Sequence, residues 1–203
     1  MKLNELSVKD FVFALASKTP TPGGGSAAAA SGAMGIGLLL MAGTFAEDPA
    51  LAETLGSLES LQIEMLDLID LDAASFDGYM EAMKLPKETE EEKAHRREQM
   101  QLALKEASQI PFKTLKSCHA VLKSLPLLTS TCKKSMISDL GSASSLLRTA
   151  VEGAFLNVLI NASSIKDESF VKEMMQKATT MKNECLDAFG KTLEGVEEKL
   201  AIG

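Results

Sequence analysis

Residues 19–46 read TPTPGGGSAAAASGAMGIGLLLMAGTFA and carry no charged side chain. Lys18 and Glu47 close the two ends. Two prolines, three glycines and a serine come first. That order makes a tight turn whose backbone N–H groups open onto a helix start, an arrangement that holds anions. The expected anion cradle is Gly23, Gly24 and Gly25, with Ser26 capping the helix. Gly32, Gly35, Gly37 and Gly43 then lower helix propensity, so such a helix stands only where packing compensates. Its length would cross a bilayer. Its first half, however, is Ala, Ser and Gly, and the acidic pair Glu47-Asp48 follows it. The expectation is a central helix buried on most sides, not a membrane span.

Further helices can be read outward from this one. Ser7 begins a short helix with Phe11, Ala14 and Leu15 directed inward. Pro49 suits a first helical turn. From residue 50 to about residue 83, Leu51, Leu55, Leu58, Leu61, Met65, Leu68 and Ile69 recur at helical spacing. Leu85-Pro86 breaks that run. Thr89 and Glu92 form a capping box for the next helix, and Pro111 is expected to begin or kink another. Ser138-Asp139 precedes a second weakly charged run, residues 140–165. Asp167-Glu168 opens a last helix whose Phe170, Met174, Met181, Cys185, Phe189, Leu193, Val196 and Leu200 form a near-heptad stripe. No alternating strand pattern of useful length appears. The expectation is all-α: a single-domain bundle over residues 1–203, with about six to eight helices and buried small-residue helices. Two nearly uncharged helices exceed what one small bundle buries, which points to a homodimer.

Composition removes several function classes. The chain has 203 residues, 45% hydrophobic and 24% charged, so it is neither disordered nor short of core. Its net charge of −7 argues against a general nucleic-acid binder, which needs a basic face. The three cysteines, Cys118, Cys132 and Cys185, lie far apart without C-x-x-C spacing. They favour a reducing cytoplasm and give no structural metal site. The start MKLNELSVKDF has no apolar leader segment.

No nucleophile elbow, phosphate loop, dinucleotide fingerprint or paired-His motif is present. Polar residues inside apolar helices carry the interest, because buried polar groups need partners that a ligand can supply. They are Asp67, Asp70 and Asp72 late in the third helix, Asp139 at the start of the second uncharged helix, and Asn157 and Asn161 four apart on one face. Each has a plainer reading. Asp139 can cap its helix, the asparagines can bond a neighbouring helix, and Asp67 and Asp70 can form a solvated face. His95 and His119 read as surface or edge residues.

Four blocks in order resemble the cyclodeaminase/cyclohydrolase part of the formiminotransferase-cyclodeaminase family. They are Pro22-Gly-Gly-Gly-Ser26 with Gly32-Ala-Met-Gly35, Asp72-Ala-Ala-Ser-Phe76 with Ala82-Met-Lys-Leu-Pro-Lys87, Ser138-Asp-Leu-Gly141, and Gly153-Ala-Phe-Leu-Asn-Val-Leu-Ile-Asn161. The resemblance implies a helical dimer acting on tetrahydrofolate one-carbon units. It implies no metal or redox cofactor and no attached transferase domain. Asp139, Asp72 and Lys84 are then the expected catalytic groups. Gly23, Gly24, Gly25, Ser26, Lys87, Ser138, Asn157 and Asn161 are the expected substrate contacts, the asparagines orienting the pterin edge. The turn or the lysines would hold the glutamate carboxylates. Where the family often has an Asn-rich turn, this chain has Cys132-Lys-Lys-Ser-Met136. The expected reaction converts 5-formimino-tetrahydrofolate to methenyl-tetrahydrofolate with release of ammonia. Methenyl-tetrahydrofolate cyclohydrolase is the alternative, and a helical interaction protein without activity is the competing class.

Overall fold

The computed structural model describes residues 2–201. Among these, seven α-helices follow one another: α1 (Val8–Leu15), α2 (Gly24–Ala46), α3 (Ala52–Lys84), α4 (Glu90–Val121), α5 (Leu125–Thr131), α6 (Ile137–Ala162) and α7 (Glu168–Leu200). No strand occurs among the described residues. Several starts are set locally, as expected. The Ser7 side chain accepts from the Asp10 N–H, and the Thr89/Glu92 capping box is complete. Asp167 accepts from the Phe170 N–H at 3.0 Å.

Four details depart from the sequence expectation. Ser26 is not the cap of α2: the helix begins at Gly24 with Gly23 in the cap position, and Ser26 is buried in the first turn. Asp139 does not cap α6 but sits within its first turn. Of the two expectations for Pro111, the helix start is not met, since α4 runs through it. No residue of α1 is buried, and only Phe11 packs partly against the core. The segment just before α1 is tied down instead by Asp70, which accepts from the backbone N–H groups of Leu3 and Asn4.

The small residues of α2 let three helices pack as a layer. α2 lies antiparallel to α3, with Gly25 beside Asp72, Gly32 beside Met65 and Gly43 beside Leu55. It is likewise antiparallel to α6, with Gly24 beside Asn157 and Gly35 beside Leu147. The approach at Gly35 is close: a Cβ there would stand 2.8 Å from Leu147 Cγ and 3.1 Å from the Ala143 carbonyl oxygen. Ser31 Oγ donates to the Leu146 carbonyl at 2.9 Å and satisfies a hydroxyl within this contact. α4 packs against α3 and α6, and α7 against α6 and α4. Ile36, Leu39, Leu58, Met65, Leu115, Leu140, Leu147 and Phe189 are fully buried in one contiguous core. Each such side chain contributes about 1.5–3 kcal/mol by leaving water.

Two helices among the described residues are long and apolar enough to cross a membrane, α2 and the one that contains residues 137–162. Both serve as core helices of this bundle. The outer face of α2 stays open. Ala27, Ala30, Met34, Leu38, Met41 and Phe45 follow one another there at heptad-like spacing, none of them charged, and Met34 and Phe45 are each 55% exposed.

Candidate active site

A cavity of about 340 Å³ opens where the N-terminus of α2 meets α3, α4 and the end of α6. Two helical stripes face each other across it. One is Asp72, Ser75, Phe76 and Tyr79 on α3; the other is Asn157, Ile160, Asn161 and Ser164. Both follow i, i+3, i+4, i+7 spacing, which keeps side chains on one helix face, with Ser164 in the turn just past α6. Leu104 and Ala107 of α4 form the floor, and Pro20, Thr21, Gly23 and Gly24 form the rim. Gln101 fixes the turn after α6: its Nε2 donates to the Ser164 carbonyl at 3.0 Å, and its Oε1 accepts from the Lys166 N–H at 2.8 Å.

Among the described residues, Asp72 is the only carboxylate on these walls. Its Oδ2 accepts from the Ser26 N–H at 2.8 Å. The Ser26 hydroxyl lies 3.1 Å from the same oxygen and 2.9 Å from the Ile69 carbonyl. The anion held at the start of α2 is therefore the chain's own Asp72. This corrects the expectation that Gly25 and Ser26 cradle a substrate carboxylate. Gly25 is what lets Asp72 in, since a Cβ there would lie 2.0 Å from Asp72 Oδ1. Burial pushes the Asp72 carboxyl above its ordinary value of 3.8, and the two interactions with Ser26 offset part of that rise.

The asparagines each spend an amide N–H on a backbone carbonyl. Asn157 Nδ2 donates to Gly153 at 2.8 Å, and Asn161 Nδ2 donates to Ala107 at 3.1 Å. Ala107 is the residue whose carbonyl Pro111, lacking an N–H, leaves free inside α4. This anchoring leaves the Oδ1 atom and the second amide N–H of each asparagine unbonded on the cavity wall. Asp72 Oδ1 is likewise unbonded, and among the described residues no basic side chain lines the walls. Such a site suits a positively charged ligand and disfavours an anionic one.

The structure divides the remaining predicted residues. Lys84 is exposed, pairs with Glu81 at 2.6 Å and is not on the cavity wall. Twelve residues separate it from Asp72, about 18 Å along a helix. Lys87 lies beyond the end of α3 and is exposed. Ser138 and Asp139 stand at the opposite end of α6; from Asp139 to Asn157 is about 27 Å. Lys133, in the turn that departs from the family pattern, pairs with Glu47 at 2.7 Å. His119 pairs with Glu184 at 2.5 Å at the α4–α7 contact. Burial raises the Cys118 and Cys185 thiols, Cys185 to about 12, which keeps both from acting as thiolate nucleophiles.

Ser75, Tyr79, Leu104, Ala107, Ile160 and Ser164 line the cavity without having been singled out from the sequence. Stepping by three and four from Asp72 and from Asn157 would have found four of them. A larger cleft, about 580 Å³, opens between α3 and α4 and shares Ser75. Its carboxylates, Glu81 and Glu106, are exposed, so it lacks the buried acid that marks the first cavity.

The formiminotransferase-cyclodeaminase family model matches residues 7–180. A formimidoyltransferase-cyclodeaminase of Gallus gallus is 34% identical over 154 residues, covering 76% of this chain and 28% of that protein. The chain thus spans little more than a quarter of that relative's length. A methenyltetrahydrofolate cyclohydrolase of Methylorubrum extorquens is 33% identical over 179 residues, with 84% of this chain and 86% of that protein covered. The crystal structure of a formiminotetrahydrofolate cyclodeaminase from Thermotoga maritima superposes with a TM-score of 0.82 at 27% identity, over 96% of this chain and 99% of that one. By fold, by sequence and by the order of its motifs, the chain belongs to the formiminotransferase-cyclodeaminase family.

Proposed function

We propose that this chain converts 5-formimino-tetrahydrofolate to 5,10-methenyl-tetrahydrofolate and ammonia in the cavity around Asp72. The observation that carries the reading is that the buried carboxyl of Asp72 shares one cavity with Asn157 and Asn161 and, among the described residues, with no basic side chain. The formimino group is an amidinium and the methenyl product is a cation, so both match that charge. The aryl amine N10 attacks the formimino carbon, forming the N10–C bond. The carbon–nitrogen bond to the amino group then breaks. Asp72 accepts the N10 proton and returns it to the departing nitrogen, which leaves as ammonia. The positive charge stays on the one-carbon bridge, beside the carboxylate. The step moves a proton and transfers no electrons. Asn157 and Asn161 accept from the pterin N–H groups. Lys84 and Lys87, outside the cavity, serve the glutamate carboxylates of the tail.

A second reading has its own support. The relative of nearly the same length is named a methenyltetrahydrofolate cyclohydrolase. In that reaction water attacks the methenyl carbon of the same cation, and Asp72 is its general base.

The working unit in this reading is a homodimer. The uncharged outer face of α2 is the natural contact, because a continuous apolar stripe on a long helix is costly to leave in water. A second copy packed antiparallel there brings the start of its α6, with Ser138 and Asp139, toward the cavity end of the first. In this way Asp139 keeps a part in a site it cannot reach in its own chain.

The methenyl chromophore tests the reaction. Its appearance with ammonia from formimino-tetrahydrofolate supports deamination. Its accelerated loss from methenyl-tetrahydrofolate alone supports the cyclohydrolase. No change in either, with no folate binding, overturns both.

A further inference from the structure

Along α3 the cavity runs from a carboxylate to two aromatic rings. Asp72 and Asn157 stand at the α2 terminus, beside Gly25 and Gly24. Phe76 and Tyr79 follow on the same face of α3, one and two turns further on. Tyr79 is about 10 Å along the helix from Asp72. Ile160 of α6 and Leu104 of the α4 floor line the same cavity, so it holds two aromatic rings together with two aliphatic side chains. Phe76 is 37% and Ile160 66% exposed, which leaves apolar surface uncovered inside a cleft. Tyr79 is the chain's single tyrosine, and Trp is absent. Polar groups recognise the edge of a heterocycle, but they give nothing to an apolar ring. The two aromatic rings do, through area and offset stacking.

Resting on the folate reading above, we propose that Phe76 and Tyr79 form the slot for the ligand's arylamine ring. Tyr79 is then the positioning residue that selects pterins carrying this ring over pterins without it. N10 is bonded to that ring, so holding the ring also fixes how N10 approaches the one-carbon unit beside Asp72. The slot explains how a cavity that holds a buried carboxyl favours the arylamine half of the molecule. The anionic tail then leaves past Tyr79, away from the Asp72 carboxylate.

Two unreactive probes separate the halves of the ligand: tetrahydrofolate, and 6-methyltetrahydropterin, which lacks the aryl ring. Their dissociation constants are measured by calorimetry for the wild type, Tyr79→Phe, Tyr79→Leu and Tyr79→Ala. Tyr79→Leu and Tyr79→Ala are expected to weaken tetrahydrofolate about three- to tenfold and to change 6-methyltetrahydropterin by less than about twofold. Tyr79→Phe keeps the ring and stays near wild type for both. Tyr79→Leu preserves bulk and carries the test should Tyr79→Ala fail to fold. Equal weakening of both probes overturns the proposal, because it marks a general disturbance of the cavity. Unchanged binding of tetrahydrofolate overturns it as well. A wild type that binds neither probe overturns the folate reading itself, which is a distinct result.

Discussion

Asn161 donates its amide to the Ala107 carbonyl across the α6–α4 contact, at 3.1 Å. Ala107 needs this partner because Pro111, four residues on, has no N–H to give. One side chain thus repairs a helix and lines the cavity. Asn161→Ala should cost about 1–3 kcal/mol of stability by leaving that carbonyl unpaired. In a Pro111→Ala background the helix can bond Ala107 itself, so the same substitution should cost about 1 kcal/mol less. The activity lost with the amide should remain lost in both backgrounds. Denaturant unfolding of the four proteins reads the coupling. An equal stability cost with and without Pro111 would sink this account.

Gly25 and Asp72 make a second pair that can be tested. A methyl group at Gly25 would meet the carboxylate at 2.0 Å, so Gly25→Ala must displace Asp72 from Ser26. The expected result is a folded protein that has lost more than about a hundredfold in rate, the scale of a removed acid–base group. Gly56→Ala is the control. It lies in α3 with nothing within 4 Å of the added carbon and should gain up to about 1 kcal/mol of helix stability with activity intact. Normal turnover in Gly25→Ala would remove Asp72 from the chemistry.

What could be read from the sequence was what is decided locally. The Thr89/Glu92 box and the Asp167 start are complete within four residues, and the long apolar periods of α3 and α7 leave little freedom. Pro111 stands inside α4, where the remedy for its missing N–H comes from Asn161, fifty residues away. Ser26 looked like a cap because its partner, Asp72, lies 46 residues on. The glycine turn reads as an anion site in the sequence; that the chain's own Asp72 lies at Ser26 is a tertiary fact. Asp139 and Asp72 share chemistry in the sequence, but a 26-residue helix keeps Asp139 far from the cavity. Spacing alone does not carry that separation.

The position of Asp72 gives a pH signature of stability. Its carboxyl is raised in the folded chain by burial, against an ordinary value of 3.8. Between those two values the folded state binds more protons than the unfolded one, so stability falls as pH rises through that window. Asp72→Asn is neutral throughout and lacks this term. Relative to wild type, the variant should therefore gain stability from pH 4 upward and level off once the wild-type carboxyl is fully ionised. Unfolding midpoints of both proteins across that range test it; a difference that does not change with pH would contradict a raised Asp72. The same group should raise the acidic limb of kcat/KM above the ordinary value of an Asp carboxyl.

A mixing experiment decides whether Asp139 acts at all, and from which chain. If the cavity is completed by Asp139 of the partner subunit, Asp72→Asn and Asp139→Asn each silence both sites of their own dimers. A mixed dimer then carries one doubly altered site and one intact site. After unfolding and refolding together in equal amounts, half of the dimers are mixed, and activity should return to about a quarter of wild type. Were Asp72 and Asp139 to act within one chain, no site in the mixture would be whole and activity would stay at the level of the separate variants. Full activity in Asp139→Asn alone would strip that residue of any role. In that case Asp72, joined to the two asparagines within one chain by α2, α3 and α6, would be the only carboxylate left to the site among the described residues.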